Sequence, residues 1–398
     1  MKRTRTDRAD VMKAATAAAL LFASLFIAPC ARASSSNLSA QDGGGEVRAR
    51  YEAARRFEEA GDWRAAEGEW RAAVRLAPRD ARAWVNLGVA LNRQQRLDEA
   101  LGAWARAAEL EPRLAGAHFN PGLALARAGR FREAVAPLRR ALSIEPENDA
   151  ARRALALALV GVESYAEASR EIAQLLARAP RDAALLELAA RSFARQKRHA
   201  EAVVVLRRRL DSGGETAELW AMYGDALDGA GRTSDAAAAY ERAVQLAPDS
   251  VAARYALGYR YWKLVRYEEA ERVLTEVLRR DPSMARAAFT LGDLYLTRGE
   301  AARALPFLER AAQVFPSEFD TRFALGRALL QTGDAERAVA ELREAVRIDD
   351  RIADGHFQLG RALVQAGRRE EGRRELERAK QLNDERRAAE AERTRAKP

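Results

Sequence analysis

Sulfur and imidazole side chains are scarce in this sequence. It holds one cysteine, Cys30, among 398 residues. A disulfide within the chain needs two cysteines, so packing alone has to stabilise the fold. The three histidines, His118, His199 and His356, are never at the spacing of metal ligands. The composition therefore excludes a fold held by internal disulfides and offers no histidine-based metal site.

Signatures of catalysis are also missing. No Gly-rich loop follows a predicted strand, and no serine or cysteine lies beside a candidate base. We therefore expect no enzymatic activity, no catalytic residue, no metal and no cofactor.

Long runs of charge of one sign are missing from the repeats. The 67 Lys and Arg residues are interleaved with 58 Asp and Glu residues, as in "RREEGRRELERAK" at residues 368–380. Such runs are typical of solvated helix faces carrying i,i+4 ion pairs. Because no basic stripe with interleaved aromatic residues stands apart, we expect no binding of nucleic acid.

A long apolar run occurs at residues 14–28, near the N-terminus. Basic residues precede it and "ARA" at residues 31–33 follows it, which is the pattern of a secretory signal peptide over residues 1–33. The run is shorter than the roughly 20 residues of a spanning helix. We expect export to the periplasm or out of the cell, with residues 34–46 as a flexible polar tether. The alternative is an uncleaved segment that anchors the protein to the membrane.

A 34-residue period is the dominant positive feature of the sequence. Three columns of turn-forming or small residues keep it. The first column consists of Pro78, Pro112, Pro146, Pro180, Pro248, Pro282 and Pro316. The second consists of Ala66, Ala100, Ala134, Ala168, Ala202, Ala236, Ala270, Ala304 and Ala338. The third contains Gly88, Gly122, Gly224, Gly258, Gly292, Gly326 and Gly360. With the prolines at position 32, residues 47–386 form ten repeats and residues 387–398 a charged helical tail.

Each repeat has the apolar spacing of two helices. Trp84, Leu87 and Leu91, at positions 4, 7 and 11, share one face of a first helix. Ala100 and Trp104, at positions 20 and 24, do the same in a second helix. The small residues at positions 8 and 20 let the two backbones approach closely. Because two short helices cannot bury their apolar faces alone, the repeats are expected to stack.

This pattern resembles the tetratricopeptide repeat, W-x2-L-G-x2-Y followed by A-x3-F, A and P. The matching residues in repeat 2 are Trp84, Leu87, Gly88, Leu91, Ala100, Trp104, Ala107 and Pro112. The resemblance implies an all-α fold, an α-solenoid in which helix-turn-helix repeats form a right-handed superhelix. It also implies a non-catalytic scaffold that binds protein or peptide segments in a concave groove. Positions 2, 5, 6, 9, 12 and 13 of the first helices line that groove in the family.

Three kinds of groove residue are candidates for binding. The aromatic candidates are Tyr255, Phe289, Phe323 and Phe357 at position 5, Tyr259 at position 9 and Trp262 at position 12. The amide candidates are Asn86 and Asn120 at position 6, and the basic candidates are Arg55, Arg93 and Arg127. Position-5 rings are open to a second interpretation, packing on the neighbouring first helix. Trp262 is harder to explain by packing, and with Tyr255 and Tyr259 it forms a strip of the kind found at binding hot spots.

Charge along the predicted groove is uneven. Repeats 1–5 are rich in arginine, whereas repeat 6 carries Glu218, Asp225 and Asp228. One hypothesis is that the first half favours acidic segments and the second half holds an aromatic or extended peptide. The alternative is that these are ordinary solvated charges. The identity of the partner and the oligomeric state stay open.

Two departures from the pattern predict local structure. Pro121 replaces the leucine of position 7, and proline inside a helix loses a hydrogen bond. We expect a shortened or kinked first helix in repeat 3, with Asn120 displaced into the groove mouth. In "DSGGET", residues 211–216, the proline column is interrupted by Gly214, which predicts a flexible turn.

A second function is compatible with the same sequence. The chain could serve as a structural or assembly subunit of an envelope machine, such as polysaccharide export or pilus assembly. In that case its convex surface and its ends would matter more than the groove.

Overall fold

The computed structural model describes residues 44–395, and every regular element among them is a helix. The chain divides between Gly214 and Glu215 into two compact units. The predicted signal peptide and residues 396–398 lie outside the described residues, as does the predicted tether as far as residue 43. None of the twenty helices described has both the length and the apolar character needed to cross a bilayer.

Within the described residues, ten helices fall in each unit. Those of the first unit are α1 (Gly44–Glu59), α2 (Trp63–Leu76), α3 (Ala81–Arg93), α4 (Leu97–Leu110), α5 (Ala115–Arg127), α6 (Phe131–Ile144), α7 (Asp149–Gly161), α8 (Tyr165–Arg178), α9 (Ala183–Arg195) and α10 (His199–Asp211). Those of the second are α11 (Ala217–Gly229), α12 (Thr233–Leu246), α13 (Val251–Lys263), α14 (Tyr267–Arg280), α15 (Ala285–Thr297), α16 (Ala301–Val314), α17 (Phe319–Thr332), α18 (Ala335–Ile348), α19 (Ala353–Gln365) and α20 (Arg369–Arg395).

The helices follow the 34-residue period closely. From repeat 2 onward every first helix begins at position 1, and in all ten repeats the second helix begins at position 17. At the two ends α1 begins at Gly44, ahead of the first predicted repeat, and α20 continues to Arg395. Helices that follow one another within a unit pack together. The prediction of an all-α solenoid of helix-turn-helix repeats is confirmed.

Small residues set the distance between the two helices of a repeat. The nine alanines of the position-20 column are 0% exposed. A Cβ atom added to Gly88 would lie 2.4 Å from Trp104 Nε1, and one added to Gly122 would lie 2.6 Å from Leu138 Cγ. Both distances are shorter than a non-bonded contact allows, so the predicted role of position 8 in close helix packing is confirmed.

One residue of the turn between the two helices has the same backbone conformation in every repeat. The residue at position 15 has a positive φ in all ten repeats, and six of these residues are glycine. Gln95, Glu163, Lys197 and Val265 adopt the same left-handed conformation, with φ between 58° and 64°. A side chain makes that conformation unfavourable, most of all a β-branched one.

At several junctions a hydrogen bond joins consecutive repeats at the same repeat positions. Trp84 Nε1 donates to the carbonyl six residues earlier at 3.1 Å, and Arg322 Nε does so at 3.0 Å. His118 Nε2 lies 3.1 Å and His356 Nε2 2.9 Å from the equivalent carbonyl oxygens. All four donors stand at position 4 and all four acceptors at position 32 of the preceding repeat. His118 and His356 are therefore structural residues of the stack.

The segment between the two units is exposed throughout. Residues 211–216 include Gly213 and Gly214, both with positive φ, and Thr216 accepts the hydrogen bond that begins α11. Arg209, which replaces a small alanine before this segment, is held on two sides. Its Nε donates to Glu187 at 2.8 Å and its NH1 donates to the Gly213 carbonyl at 2.7 Å.

The helix that contains Pro121 is not shortened. α5 spans 13 residues, as the first helices of the neighbouring repeats do, and Asn120 is only 3% exposed. The predictions of a shortened helix and of Asn120 displaced into the groove mouth are therefore wrong. The physical reason is that the φ that proline imposes, near −65°, is close to the helical value. The proline costs one hydrogen bond to the Ala117 carbonyl, and the helix keeps its length.

Candidate protein-binding surfaces

Three aromatic side chains line up along α13. The centroids of Tyr255 and Tyr259 are 6.3 Å apart, and those of Tyr259 and Trp262 are 5.4 Å apart with ring planes inclined by 28°. Residues four and three apart share a helix face, which is why these rings form one series. All three side chains are half-buried. We call Tyr255, Tyr259 and Trp262 the aromatic strip.

The polar ends of the strip lie near α15. The Tyr255 hydroxyl is close to Thr290, and burial raises the pKa of the tyrosine. Trp262 is close to Asp293. Burial raises the pKa of Asp293, and the charge of Arg327 and the neighbouring Trp262 side chain oppose that rise. Two of the three rings thus have a polar neighbour on the next first helix.

The remaining position-5 rings divide into two groups. Phe289 and Phe323 are half-buried against the hydrophobic core, and Phe323 stacks on Phe319 with centroids 5.3 Å apart. Phe357, on α19, is 45% exposed. The packing interpretation accounts for much of Phe289 and Phe323. It does not account for Phe357, because no first helix follows α19 in the described residues to cover it.

The acidic residues of repeat 6 have partners in repeat 7. Arg260 NH2 lies 3.4 Å from Asp225 Oδ1 and 3.2 Å from Asp228 Oδ2, and Lys263 Nζ lies 2.9 Å from Asp228 Oδ1. The Arg260 guanidinium also lies over Tyr240 and Tyr259, 4.9 and 5.4 Å from the ring centroids. Repeat 6 therefore does not present these two carboxylates as an uncompensated acidic surface.

Arg260 is a residue that the sequence interpretation missed. It stands at position 10, outside the positions expected to line the groove. A signal was available, since Asp225 and Asp228 are each followed 35 residues later by a cation. That offset is one repeat plus one residue, which brings the side chains of neighbouring first helices together.

In the first unit, basic residues gather around one half-buried carboxylate. Glu58 accepts a hydrogen bond from Trp70 Nε1 at 2.7 Å. Burial raises the pKa of Glu58, and the charges of Arg55 and Arg93 oppose that rise. Arg93 also lies over the Trp63 ring at 5.1 Å. The structure thus brings together Arg55 and Arg93, which the sequence had placed in different repeats.

Arg127 continues this basic group in repeat 3. Burial lowers the pKa of its guanidinium, and the nearby positive charge of Arg93 lowers it further. The two arginines are close enough to repel each other, so the first unit has a local concentration of positive charge on its first helices.

The two asparagines at position 6 differ in accessibility. Asn86 is half-buried, whereas the buried Asn120 has no hydrogen-bond donor for its Oδ1 atom among the described residues. Asn120 therefore offers no amide to a peptide in the groove. Residues 44–395 also contain no cluster of His, Cys, Asp and Glu side chains that could hold a metal ion.

Sequence models of one family match most of the chain. Two models, each described as a tetratricopeptide repeat, match residues 51–117, 222–285, 255–318 and 289–355, and residues 125–192, respectively. No curated protein matches the chain in sequence.

Solved structures with similar folds include helical repeat proteins. MamA from Desulfovibrio magneticus RS-1 is 20% identical, with a TM-score of 0.41 over 43% of this chain and 97% of MamA. A structure of Naa15/Naa10 bound to HypK-THB gives a TM-score of 0.51 at 14% identity, over 85% of this chain and 64% of the other. At 14% identity the likeness to the Naa15/Naa10 structure concerns the fold alone.

Proposed function

Because the chain belongs to the tetratricopeptide repeat family, we propose that it is a non-catalytic scaffold that binds a segment of a partner protein on its second unit. The binding surface consists of the aromatic strip and the position-5 rings of repeats 8–10. The observation that carries the proposal is the strip itself, three aligned rings that remain partly exposed.

The chemistry of the strip suits a peptide ligand. Aromatic rings bury a large area with few rotatable bonds, so they lose little entropy when a partner binds. Tyrosine and tryptophan can also form hydrogen bonds with a peptide main chain. Packing of Tyr255 and Trp262 against the hydrophobic core lowers the ordering cost further, and pre-organised aromatic residues are the usual anchors of protein interfaces.

Export is the second part of the proposal. Residues 1–33 have the order of a secretory signal peptide, basic, apolar and then small residues. Fractionation of the native host and N-terminal sequencing test this directly. We expect the protein in the envelope or the medium, beginning at Ser34. Recovery of the intact N-terminus in the cytoplasm would contradict export, and recovery in the membrane would indicate an uncleaved anchor.

Affinity capture tests the binding surface. The full chain, tagged at its C-terminus, is expressed in the native host and captured beside a Tyr259→Ala, Trp262→Ala, Phe289→Ala triple variant. We expect a partner that co-purifies with the wild type and is reduced at least about tenfold with the variant, as removal of hot-spot rings predicts. Circular dichroism checks that the variant keeps its helices.

A matched control uses apolar side chains that are exposed on second helices. Val204 and Val314 are 59% and 54% exposed, and a Val204→Ala, Val314→Ala variant should capture the partner as well as the wild type does. If the control variant loses the partner and the triple variant keeps it, the proposed surface is wrong. An assembly subunit that binds through its second helices would then be the better description.

A further inference from the structure

The first helices of repeats 9 and 10 carry the same three residues at the same positions. Asp320, Phe323 and Arg327 occupy positions 2, 5 and 9 of α17, and Asp354, Phe357 and Arg361 occupy those positions of α19. Residues three and four apart share a helix face. The guanidinium of Arg327 lies 5.6 Å from the Phe323 ring centroid, and that of Arg361 lies 6.0 Å from the Phe357 centroid.

Two neighbouring helices with this order create three parallel rows. An acidic row, Asp320 and Asp354, and a basic row, Arg327 and Arg361, flank an aromatic row, Phe323 and Phe357. Along each helix the acidic and the basic residue are seven residues apart, about 10 Å at 1.5 Å per residue. This distance between the two charged rows accommodates one extended chain above the rings.

The charges of these rows are not paired with one another or with neighbours. Within residues 44–395 no cation forms an ion pair with Asp320 or Asp354, and no carboxylate forms one with Arg327 or Arg361. Arg361 donates to Gln358 at 3.2 Å, while Asp320 and Arg327 act on Asp293 only through their charges. These four charges are therefore available to a ligand.

Repeat 8 shows the contrast. Arg286 stands at the same position as Asp320 and Asp354, but both of its terminal nitrogens donate to Glu318, at 2.8 and 2.6 Å. Its guanidinium also covers the Phe315 ring at 4.1 Å. Arg286 is used within the fold, which limits the three-row pattern to repeats 9 and 10.

The spacing between the two helices selects the conformation of a ligand. α17 and α19 contact each other, and the axes of packed helices lie about 8–10 Å apart. A polyproline II chain returns to the same side every three residues, a rise of about 9 Å. A β-strand returns to the same side every two residues, about 7 Å, which is shorter than the spacing of the two helices.

On the basis of the proposed function, we propose that the ligand of repeats 9 and 10 is a polyproline II segment with a three-residue charge pattern. One residue in three is proline or a small apolar residue above Phe323 and Phe357. The next faces Arg327 and Arg361 with a carboxylate, and the third faces Asp320 and Asp354 with an amine or guanidinium. Segments in this conformation dock on aromatic-lined grooves, because the ligand is already ordered before it binds.

A synthetic peptide tests the pattern. A fluorescein-labelled peptide of four Pro-Glu-Lys triplets is titrated with the full chain, and binding is followed by fluorescence anisotropy. A peptide of identical composition, scrambled so that no triplet period remains, is the control. We expect the triplet peptide to bind at least about tenfold more tightly than the scrambled one, with an affinity that falls as salt rises.

Charge reversal identifies the rows. An Arg327→Glu, Arg361→Glu variant has two acidic rows and should bind the triplet peptide at least about tenfold more weakly. Adding Asp320→Arg and Asp354→Arg exchanges the rows. A peptide that binds in the opposite direction presents its acidic side where its basic side was, so it matches the exchanged rows. The fourfold variant should therefore recover the wild-type affinity. A merely structural effect of four substitutions would not restore binding.

Three outcomes would overturn the inference. They are equal affinity for the triplet and scrambled peptides, unchanged affinity after reversal of the basic row, and no recovery in a fourfold variant that circular dichroism shows to be folded. If neither peptide binds while the triple alanine variant still loses its captured partner, the inference fails and the proposed function stands. If capture is also insensitive to the alanine variant, both fail.

Discussion

A single turn residue decides how much strain each repeat carries. Position 15 has a positive φ in every repeat, and glycine satisfies that requirement in six of them without steric cost. Val265 is the least suitable occupant, because its β-branched side chain crowds the backbone at φ 61°. Its side chain is also 64% exposed, so it gains little from packing in return.

Replacement of Val265 by glycine is expected to stabilise the protein. Relief of the left-handed strain contributes about 1–2 kcal/mol, and the greater freedom of glycine in the unfolded chain removes about 0.5–1 kcal/mol. The net gain should be about 0.5–1 kcal/mol, measured as a higher urea midpoint. Gly299→Val, the reverse change at the same position, should lower the midpoint. A lower midpoint for Val265→Gly would show that the valine makes a contact which outweighs the strain.

At the scale of the helix, glycines differ sharply in what surrounds them. Gly88 faces Trp104 across the helix pair, whereas Gly102, in the middle of α4, has no atom within 4 Å of an added Cβ. Gly88→Ala should therefore destabilise by about 1–3 kcal/mol through overpacking. Gly102→Ala should stabilise by up to about 1 kcal/mol through helix propensity. Urea titration followed by circular dichroism measures both. The same sign for the two changes would mean that packing does not set the identity of position 8.

Replacement of Pro121 in α5 is a second prediction about a single helix. An open apolar depression of about 380 Å³ lies beside Pro121, with Leu101, Leu125 and Pro137 among the residues that line it. Pro121→Leu restores the missing backbone donor and fills part of this space. We expect a gain approaching 3 kcal/mol, the usual cost of an interior proline. Hydrogen exchange at residues 120–125 should slow as well. Unchanged exchange and stability would indicate that the helix has already absorbed the loss.

At the scale of the whole molecule, features that recur in every repeat could be predicted from the sequence, whereas contacts between repeats were harder to predict. Proline, alanine and glycine columns determine the helix boundaries because turns and close packing tolerate few residue types, so the repeats were predictable. The burial of Asn120 was not, and the role of Arg260 shows only in an offset between repeats. Whether Asn120 faces the groove depends on packing around Pro121, and Arg260 is drawn to Asp228 by a contact between repeats. A pattern within one repeat does not contain either relation.

The division into two units predicts how the full chain responds to protease. Residues 211–216 are exposed and contain two glycines with positive φ, whereas the helices on each side are packed. Brief treatment with a broad-specificity protease should cut within this segment. It should leave two resistant fragments, identified by mass spectrometry, that end and begin near residue 214. If cleavage occurs first inside α9 or α12, the segment is not the most accessible part of the chain.

The hydrogen bond between position 4 of one repeat and position 32 of the preceding repeat limits the lengths by which the gene can grow or shrink. Where position 4 carries a donor, removing or duplicating 34 codons in register rebuilds the same junction from the neighbouring repeats. A deletion of any other length places a different side chain opposite the carbonyl and misaligns every small-residue contact of the interrupted repeat. Recombination between repeats is therefore tolerated in whole units, so the number of repeats can vary among descendants while the joint between them stays the same.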